Sequence, residues 1–200
     1  MKKLLTTLLV LSLVGCQQAS TGASTDTELV ESTTSEETDK PEEQKKKKYW
    51  TCPTCSKEEQ YVLKQFQEKA GITDRNALAT LMGNIRSESM FIPNICEGGA
   101  RVQYNQCHSG GYGLIQWTTQ RRYDGLGYFS SKYGCDPSEL ECQTRYMINE
   151  LEFQKTVHLF RQEGKSISQY MRAAYYWLGW GIKGYRESYS HEYYAKMVLA

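Results

Sequence analysis

The 200-residue sequence has no long hydrophobic run and almost no net charge. Its one extended apolar stretch, residues 4–14, has 11 residues, whereas a membrane-spanning helix needs about 20. The formal net charge of +1 lacks the basic surplus typical of nucleic-acid binding. No internal repeat occurs, and outside the Cys-Pro-Thr-Cys segment at 52–55 no histidine or cysteine spacing suits a metal site. We therefore expect no metal, no cofactor and no nucleic-acid partner.

The N-terminus has the pattern of an export signal. Lys2 and Lys3 precede the short apolar stretch, as in secretory signal peptides. The stretch ends in Leu-Val-Gly-Cys at residues 13–16, which resembles the lipobox of bacterial lipoproteins. This resemblance implies cleavage after residue 15 and lipidation of Cys16, which would anchor the protein in the lipid bilayer. An ordinary secretory signal with an incidental cysteine is the alternative.

A polar segment separates this signal from the rest of the chain. Residues 17–48 are rich in Ser, Thr, Glu, Asp and Lys and contain no aromatic residue. Such a segment cannot bury enough surface to fold, and as a flexible coil it would span about 30 Å. Residues 16–48 are therefore predicted to tether a domain at 49–200 to the extracytoplasmic side of a membrane in the cell envelope.

Six of the seven cysteines lie beyond residue 49, which suits an exported, disulfide-bonded domain. Their spacing favours pairs of neighbours, although six cysteines allow about 15 connectivities. The Cys-Pro-Thr-Cys segment at 52–55 also has a redox or zinc-like spacing, so that alternative stays open. The disulfide candidates are Cys52, Cys55, Cys96, Cys107, Cys135 and Cys142.

Residues 49–200 have the periodicity and capping signals of helices. Ser56 and Glu59 predict a capping box, and a second helix is expected from about Thr73 or Asp74 to Glu88–Met90. Further helices are predicted over 119–132, from Asp136 through Leu151, over 167–179 and over 186–199. The expected fold class is mainly α, with about six helices and a small irregular or β insertion.

Glu88 is the residue best placed for acid chemistry. It lies near the end of the second predicted helix, next to Met90 and Phe91. Apolar neighbours and the negative end of a helix dipole both favour the neutral form of a carboxylic acid. An acid that keeps its proton can protonate a glycosidic oxygen. A surface glutamate at a helix end is the alternative interpretation.

A second segment, Gly-Tyr-Gly-Leu-Ile-Gln-Trp-Thr at 111–118, has features of a sugar-binding turn. Its glycines would let the backbone approach a ligand, and its amide and aromatic side chains suit an N-acetyl group and a sugar ring. A tight turn packed into the core would show the same pattern.

Together the two segments resemble the phage tail lysozymes, within the wider lysozyme-like and lytic transglycosylase superfamily. The family pattern Gly-Asn-x-x-x-Glu-Ser matches residues 83–89, and Gly-aromatic-Gly-Leu-x-Gln-Trp-Thr matches 111–118. A weaker match covers Gly184, Arg186 and Tyr194, so the resemblance extends over about 58–199.

The resemblance implies a lysozyme-like α+β fold, with the insertion beside the active-site cleft. It also implies cleavage of the β-1,4 bond between N-acetylmuramic acid and N-acetylglucosamine in peptidoglycan strands, with Glu88 as catalytic acid. The cysteine-bearing insertion at 96–109 and the lipid anchor favour a monomeric host, prophage or conjugation-associated wall enzyme over a viral tail protein. The substrate-binding candidates are Ser89, Tyr112, Gly113, Leu114, Gln116 and Trp117.

The second catalytic carboxylate stays open at this point. Glu97 and Asp124 are both candidates, with Glu97 favoured. Hydrolysis needs such a group, whereas some lytic transglycosylases form a 1,6-anhydro product with one glutamate alone. A non-catalytic peptidoglycan-binding lipoprotein and a structural lipoprotein of an envelope machine are the alternatives from other functional classes.

Overall fold

The computed structural model describes residues 48–108 and 110–200. The predicted signal peptide, Cys16 and all of the predicted tether except Lys48 lie outside the described residues. The described part is mainly helical, which confirms the predicted fold class. Its elements are β1 (Trp50–Thr51), α1 (Lys57–Glu68), α2 (Arg75–Ser89), a 3-10 turn (Tyr104–Gln106), α3 (Gln120–Tyr133), α4 (Leu140–Asn149), α5 (Leu151–Phe160), α6 (Ile167–Leu178), α7 (Arg186–Lys196) and β2 (Val198–Leu199).

Helix α2 runs through the centre of the domain, and α1, α6 and α7 pack around it. Most of α2 is buried, including Ala77, Leu78, Leu81 and Met82. Helix α7 approaches α2 most closely at Gly83, where an added Cβ would lie 2.4 Å from the backbone nitrogen of Ser190. Gly83 belongs to the Gly-Asn-x-x-x-Glu-Ser segment at 83–89, which we call the first motif; the segment at 111–118 is the second motif. Gly83 is therefore required for the contact between these two helices.

Local capping signals placed the first two helices well. The predicted capping box is present: the Ser56 hydroxyl accepts from Glu59 N at 3.2 Å, and the Glu59 carboxylate accepts from Ser56 N at 2.6 Å. At the start of α2, Asp74 accepts from Ala77 N at 2.9 Å. These short-range bonds satisfy backbone donors that have no partner within the helix.

The single helix predicted from Asp136 through Leu151 is wrong at both ends. Asp136 accepts from Ser138 N at 2.8 Å and forms a turn, so α4 begins only at Leu140. Glu150 is extended, with φ −66° and ψ 152°, and divides the predicted helix into α4 and α5. The domain therefore has seven α-helices within the described residues, one more than predicted.

The last predicted helix also ends early. Helix α7 stops at Lys196, and β2 pairs antiparallel with β1, with Trp50 opposite Leu199 and Thr51 opposite Val198. This small sheet joins the two ends of the domain. In the predicted insertion the structure has two isolated antiparallel bridges, which join Ile95 to Arg101 and Cys96 to Tyr112.

The cysteines form three disulfides between neighbours, as their spacing predicted. The Cys52–Cys55 disulfide argues against a zinc site at this pair, and the burial of both cysteines beside the small sheet favours a structural over a redox role. The disulfide pairs are Cys52–Cys55, Cys96–Cys107 and Cys135–Cys142.

None of the helices in the described ranges is long and apolar enough to cross a bilayer.

Candidate active site

Glu88 lies in the last turn of α2, and its side chain is 15% exposed. The guanidinium of Arg186, at the start of α7, donates from Nη2 to Glu88 Oε1 at 2.5 Å. The Arg186 side chain is itself only 10% exposed. The carboxylate therefore has a partly buried cationic partner rather than the purely apolar surroundings expected from Met90 and Phe91. Met90 is 57% exposed, and Phe91 packs in the core against Tyr193.

The backbone is strained directly after the first motif (residues 83–89) and within the second motif (residues 111–118). Among the described residues, the only non-glycine residues with positive φ are Met90 (54°), Phe91 (62°) and Gln116 (51°). A non-glycine residue in the left-handed region costs about 1 kcal/mol or more, and such residues concentrate at functional sites. Two of them directly follow the end of α2, and the third lies within the second motif. Strain thus coincides with the two segments that the sequence singled out.

A hydrogen bond joins the two motifs. The Ser89 hydroxyl donates to the carbonyl of Leu114 at 2.8 Å, and Ser89 is 3% exposed. This bond fixes the end of α2, and hence Glu88, relative to the turn at 111–118. In this structure Ser89 connects parts of the protein and offers little surface to a substrate.

Gln143 of α4 also binds the turn at 111–118. Its Oε1 accepts from Leu114 N at 2.9 Å, and its Nε2 donates to the carbonyls of Pro93 and Pro137 at 2.6 and 2.7 Å. Gly113 has φ 74°, and an added Cβ there would lie 2.4 Å from Gln143 Oε1. Gly113 therefore makes room for this buried amide, which holds three loops together.

Besides Ser89, three more of the predicted substrate-binding side chains are buried. Tyr112, Leu114 and Trp117 have no exposed surface, so none offers a face to a sugar ring in this structure. Gln116 is partly exposed, and its amide donates to the carbonyls of Gly113 and Ile95 at 3.0 and 3.4 Å. Of the six candidates, Gln116 is the one whose side chain is partly exposed.

Tyr112 anchors the disulfide-bonded insertion to the rest of the domain. Its ring contacts the rings of Tyr104 and Tyr123 edge-on, with centroids at 5.7 and 6.1 Å, and those two rings stack at 4.3 Å. The Tyr112 hydroxyl donates to the carbonyl of Val102 at 3.1 Å. Burial raises the pKa of Tyr112 and raises the pKa of Tyr104 to about 12.

Trp117 forms part of a buried polar network around Glu150, whose side chain is 1% exposed. One carboxylate oxygen accepts from Trp117 Nε1 at 3.1 Å and from Arg122 Nε at 3.0 Å. The other accepts from Trp177 Nε1 at 3.0 Å and from Arg122 Nη2 at 2.5 Å. The network satisfies both indoles and explains why Glu150 leaves helical geometry between α4 and α5.

The two candidate second carboxylates are both exposed. Glu97 lies in the insertion and accepts from Gly111 N at 3.0 Å, which joins it to the second motif. Asp124 lies on α3 and accepts from Gln120 Nε2 at 2.7 Å. The backbone contact thus links Glu97, and not Asp124, directly to the turn beside α2.

No group of three or more His, Cys, Asp or Glu side chains is placed to hold a metal ion within residues 48–108 and 110–200.

Sequence reasoning missed the supporting roles of Arg186, Gln143 and Glu150. The weak late match did include Arg186, but nothing in it indicated that this arginine reaches Glu88 across 98 residues. Gln143 and Glu150 are polar residues within an apparently regular helix, and their spacing gives no signal of burial.

Comparison with protein-family models gives a match over residues 57–197 to the phage tail lysozyme family. The chain belongs to the phage tail lysozyme family. Comparisons with curated proteins and with solved structures found no significant match. Membership in the phage tail lysozyme family indicates a lysozyme-like function in degrading peptidoglycan. The matched region begins at the first residue of α1 and includes Glu88, both motifs and α7.

Proposed function

We propose that this protein cleaves the β-1,4 bond between N-acetylmuramic acid and N-acetylglucosamine, with Glu88 as the proton donor. The observation that carries the proposal is the position of Glu88. It is a partly exposed carboxyl at the end of the central helix, held by Arg186 at 2.5 Å and followed by two strained residues. This combination of accessibility to a substrate and support from a buried partner suits a proton donor.

The contacts of the carboxylate suggest how it would act. Arg186 binds Oε1, while Oε2 makes no hydrogen bond within the described ranges. A proton on Oε2 could then pass to the glycosidic oxygen as the bond from that oxygen to the anomeric carbon breaks. Arg186 would orient the carboxyl group and stabilise the anion that remains. It is a positioning residue in this scheme, because it acts through Glu88.

The fate of the anomeric carbon distinguishes two reactions. In hydrolysis, a water attacks that carbon and gives a reducing end. An inverting enzyme needs a base about 6.5–9.5 Å from the acid, and a retaining enzyme a nucleophile about 5 Å away. Glu97 is our candidate for this second group because its carboxylate is bound to the second motif. In lytic transglycosylation, the 6-hydroxyl of the muramic acid attacks instead and gives its proton to the Glu88 carboxylate, so no second carboxylate is required.

Digestion of purified sacculi by the full chain tests both parts of the proposal. The wild type should release soluble saccharides, and Glu88→Gln should release none. Because this variant also removes the counter-charge of the buried Arg186, circular dichroism at the assay temperature checks that it is folded. A loss of activity in Glu97→Gln together with reducing ends would support hydrolysis. Products lighter by one water, unaffected by Glu97→Gln, would show a transglycosylase. A folded wild type that binds sacculi and releases nothing would refute the enzyme proposal and favour a peptidoglycan-binding protein.

We also propose that Cys16 carries the lipid that anchors the enzyme to the extracytoplasmic face of a membrane. The order of basic residues, short apolar stretch and Leu-Val-Gly-Cys supports this proposal. The polar segment that follows would let the domain reach the wall. Mass spectrometry of the full chain expressed in a bacterium should show cleavage before Cys16 and an acylated N-terminus. An unmodified cysteine, or cleavage elsewhere, would contradict the anchor.

A further inference from the structure

The segment from Tyr175 to Tyr185 exposes an unusual amount of apolar surface. Tyr175 is 50% exposed, Ile182 is 83% exposed and Tyr185 is 72% exposed. Trp180, between them, is partly exposed. We name Tyr175, Trp180, Ile182 and Tyr185 the aromatic ledge. It spans the end of α6 and the loop to α7, outside both sequence motifs.

Arg186 connects the aromatic ledge to Glu88. While Nη2 binds the Glu88 carboxylate, Nη1 donates to the carbonyls of Ile182 and Lys183 at 3.1 and 3.2 Å. The guanidinium also lies 5.1 Å from the centroid of the Trp180 ring. One buried side chain therefore fixes the acid, the loop backbone and the central ring of the ledge.

Two rings of the ledge are held in place before any ligand binds. Tyr175 contacts Trp180 edge-on, with ring centroids 5.4 Å apart. An arginine against an indole face adds a cation–π attraction. Side chains that are already ordered lose less conformational entropy when a ligand binds. Tyr175 and Trp180 thus form an ordered pair of rings that Arg186 connects to Glu88, and a preorganised apolar surface of this kind has the properties of a binding subsite.

We infer that the aromatic ledge is a saccharide-binding subsite that holds one or more sugar rings of the glycan strand beside Glu88. Aromatic rings present flat apolar faces with polar groups at their edges, which suits the C–H face and the hydroxyl rim of a pyranose ring. A glycan strand that places a glycosidic bond at Glu88 must extend past it, and the ledge is the exposed apolar surface connected to that residue. This inference rests on the proposed function.

A lipid bilayer is the alternative binding partner of the aromatic ledge, because tyrosine and tryptophan also favour membrane interfaces. Two observations favour the saccharide. The ledge is coupled to Glu88 through Arg186, and the cation of the loop, Lys183, is paired with Glu187 of α7. A membrane-binding loop would be expected to leave its lysine free for anionic lipid.

The test measures binding of the full chain in detergent to a β-1,4-linked N-acetylglucosamine hexamer and to purified sacculi. Every variant carries Glu88→Gln, so that the ligand is not consumed. Tyr175→Ala and Trp180→Leu should each weaken binding about tenfold, while Trp180→Phe should keep most of the affinity because it keeps a flat ring. The control is Tyr133→Ala at the end of α3, since Tyr133 is 49% exposed, as Tyr175 is.

Unchanged binding in both Tyr175→Ala and Trp180→Leu would overturn the inference. So would an equal loss in Tyr133→Ala, which would indicate a general effect of losing an exposed ring. Thermal unfolding identifies any variant that fails to fold, and Tyr175→Ala then serves if Trp180→Leu is unstable. Chains reconstituted in vesicles with brominated lipid test the alternative binding partner: strong quenching that disappears in Trp180→Phe would place the ledge on the membrane and refute the subsite.

The chain with Glu88 intact separates the proposed cleavage reaction from the proposed saccharide subsite. If it releases nothing from sacculi, the proposed cleavage fails, but the hexamer measurements still decide whether the ledge binds sugars. If it is active and the ledge variants bind normally, the function stands and the subsite is refuted.

Discussion

Replacing Glu150 by glutamine would disturb the buried network that supports the second motif. Each carboxylate oxygen accepts one indole N–H and one N–H of Arg122. The amide of glutamine would replace one oxygen by an NH2 group. That group would face an indole donor and an arginine donor, neither of which it can accept. The guanidinium of Arg122, whose side chain is 11% exposed, would also lose its counter-charge.

The magnitude follows from this burial. Removing one member of a buried ion pair costs about 3–5 kcal/mol, because the other charge stays buried and unpaired. For a domain of this size, about 1 kcal/mol lowers the melting temperature by about 2–4 °C. We therefore expect Glu150→Gln to lower the melting temperature by about 10 °C.

Thermal unfolding of the full chain, with its disulfides intact and followed by circular dichroism, measures this change. The matched control is Glu152→Gln, two residues away. Glu152 pairs with Arg121, whose side chain is 66% exposed, and such surface pairs contribute about 1 kcal/mol or less. If Glu150→Gln were no more destabilising than Glu152→Gln, the network would not be what holds α4, α5 and the second motif together.

Three further predictions concern the acid, the turn and the buried tyrosines. Arg186→Gln should slow sacculus digestion at least about tenfold, because the candidate acid loses its partner. The control Arg86→Gln breaks a surface pair between the same two helices and should leave digestion unchanged. Equal losses in the two variants would indicate disturbed helix packing instead. Gly113→Ala should lower the free energy of unfolding by well over about 1 kcal/mol, because the added Cβ would clash with Gln143. Gly134→Ala should cost less, since Gly134 has a similar positive φ but nothing lies within 4 Å of the added Cβ. Equal costs of the two variants in chemical denaturation would argue against the clash. Stability should fall as the pH rises from about 10 towards 12, because the unfolded chain then releases phenolic protons that the folded chain retains. Part of the tyrosinate absorbance should therefore rise together with the loss of helical circular dichroism, and a rise that is complete before that loss would contradict the burial of these groups. Burial raises the pKa to about 12 for Tyr104, Tyr146 and Tyr170.

The features that the sequence predicted well depend on neighbours in the chain. The capping box at Ser56 and Glu59, the start of α2 at Asp74 and the pairing of nearby cysteines all involve residues a few positions apart. Short-range geometry of this kind is nearly independent of the rest of the fold. The single helix predicted through Leu151 was wrong because a long-range network decides the conformation of Glu150.

The aromatic residues show the same division at the candidate site. Tyr112 and Trp117 were predicted to bind substrate, yet both are buried, because Gln143 and the Glu150 network draw the second motif into the core. Tyr175 and Trp180 carried no motif, yet Tyr175 is exposed, and the partly exposed Trp180 lies against Arg186. Composition alone could not separate the two pairs, because an aromatic side chain is suited to a core and to a sugar-binding surface alike.

The family, the mainly helical fold class and the candidate acid Glu88 could be predicted from the sequence alone, because motifs and capping signals are local patterns. The groups that surround that acid become apparent only in the folded domain. Arg186 reaches Glu88 from 98 residues away, and Ser89 binds a turn 25 residues further along the chain. Such partners are selected by the packing of α2 against α7 and the second motif, and that packing depends on the shape and burial of the whole domain rather than on any single segment.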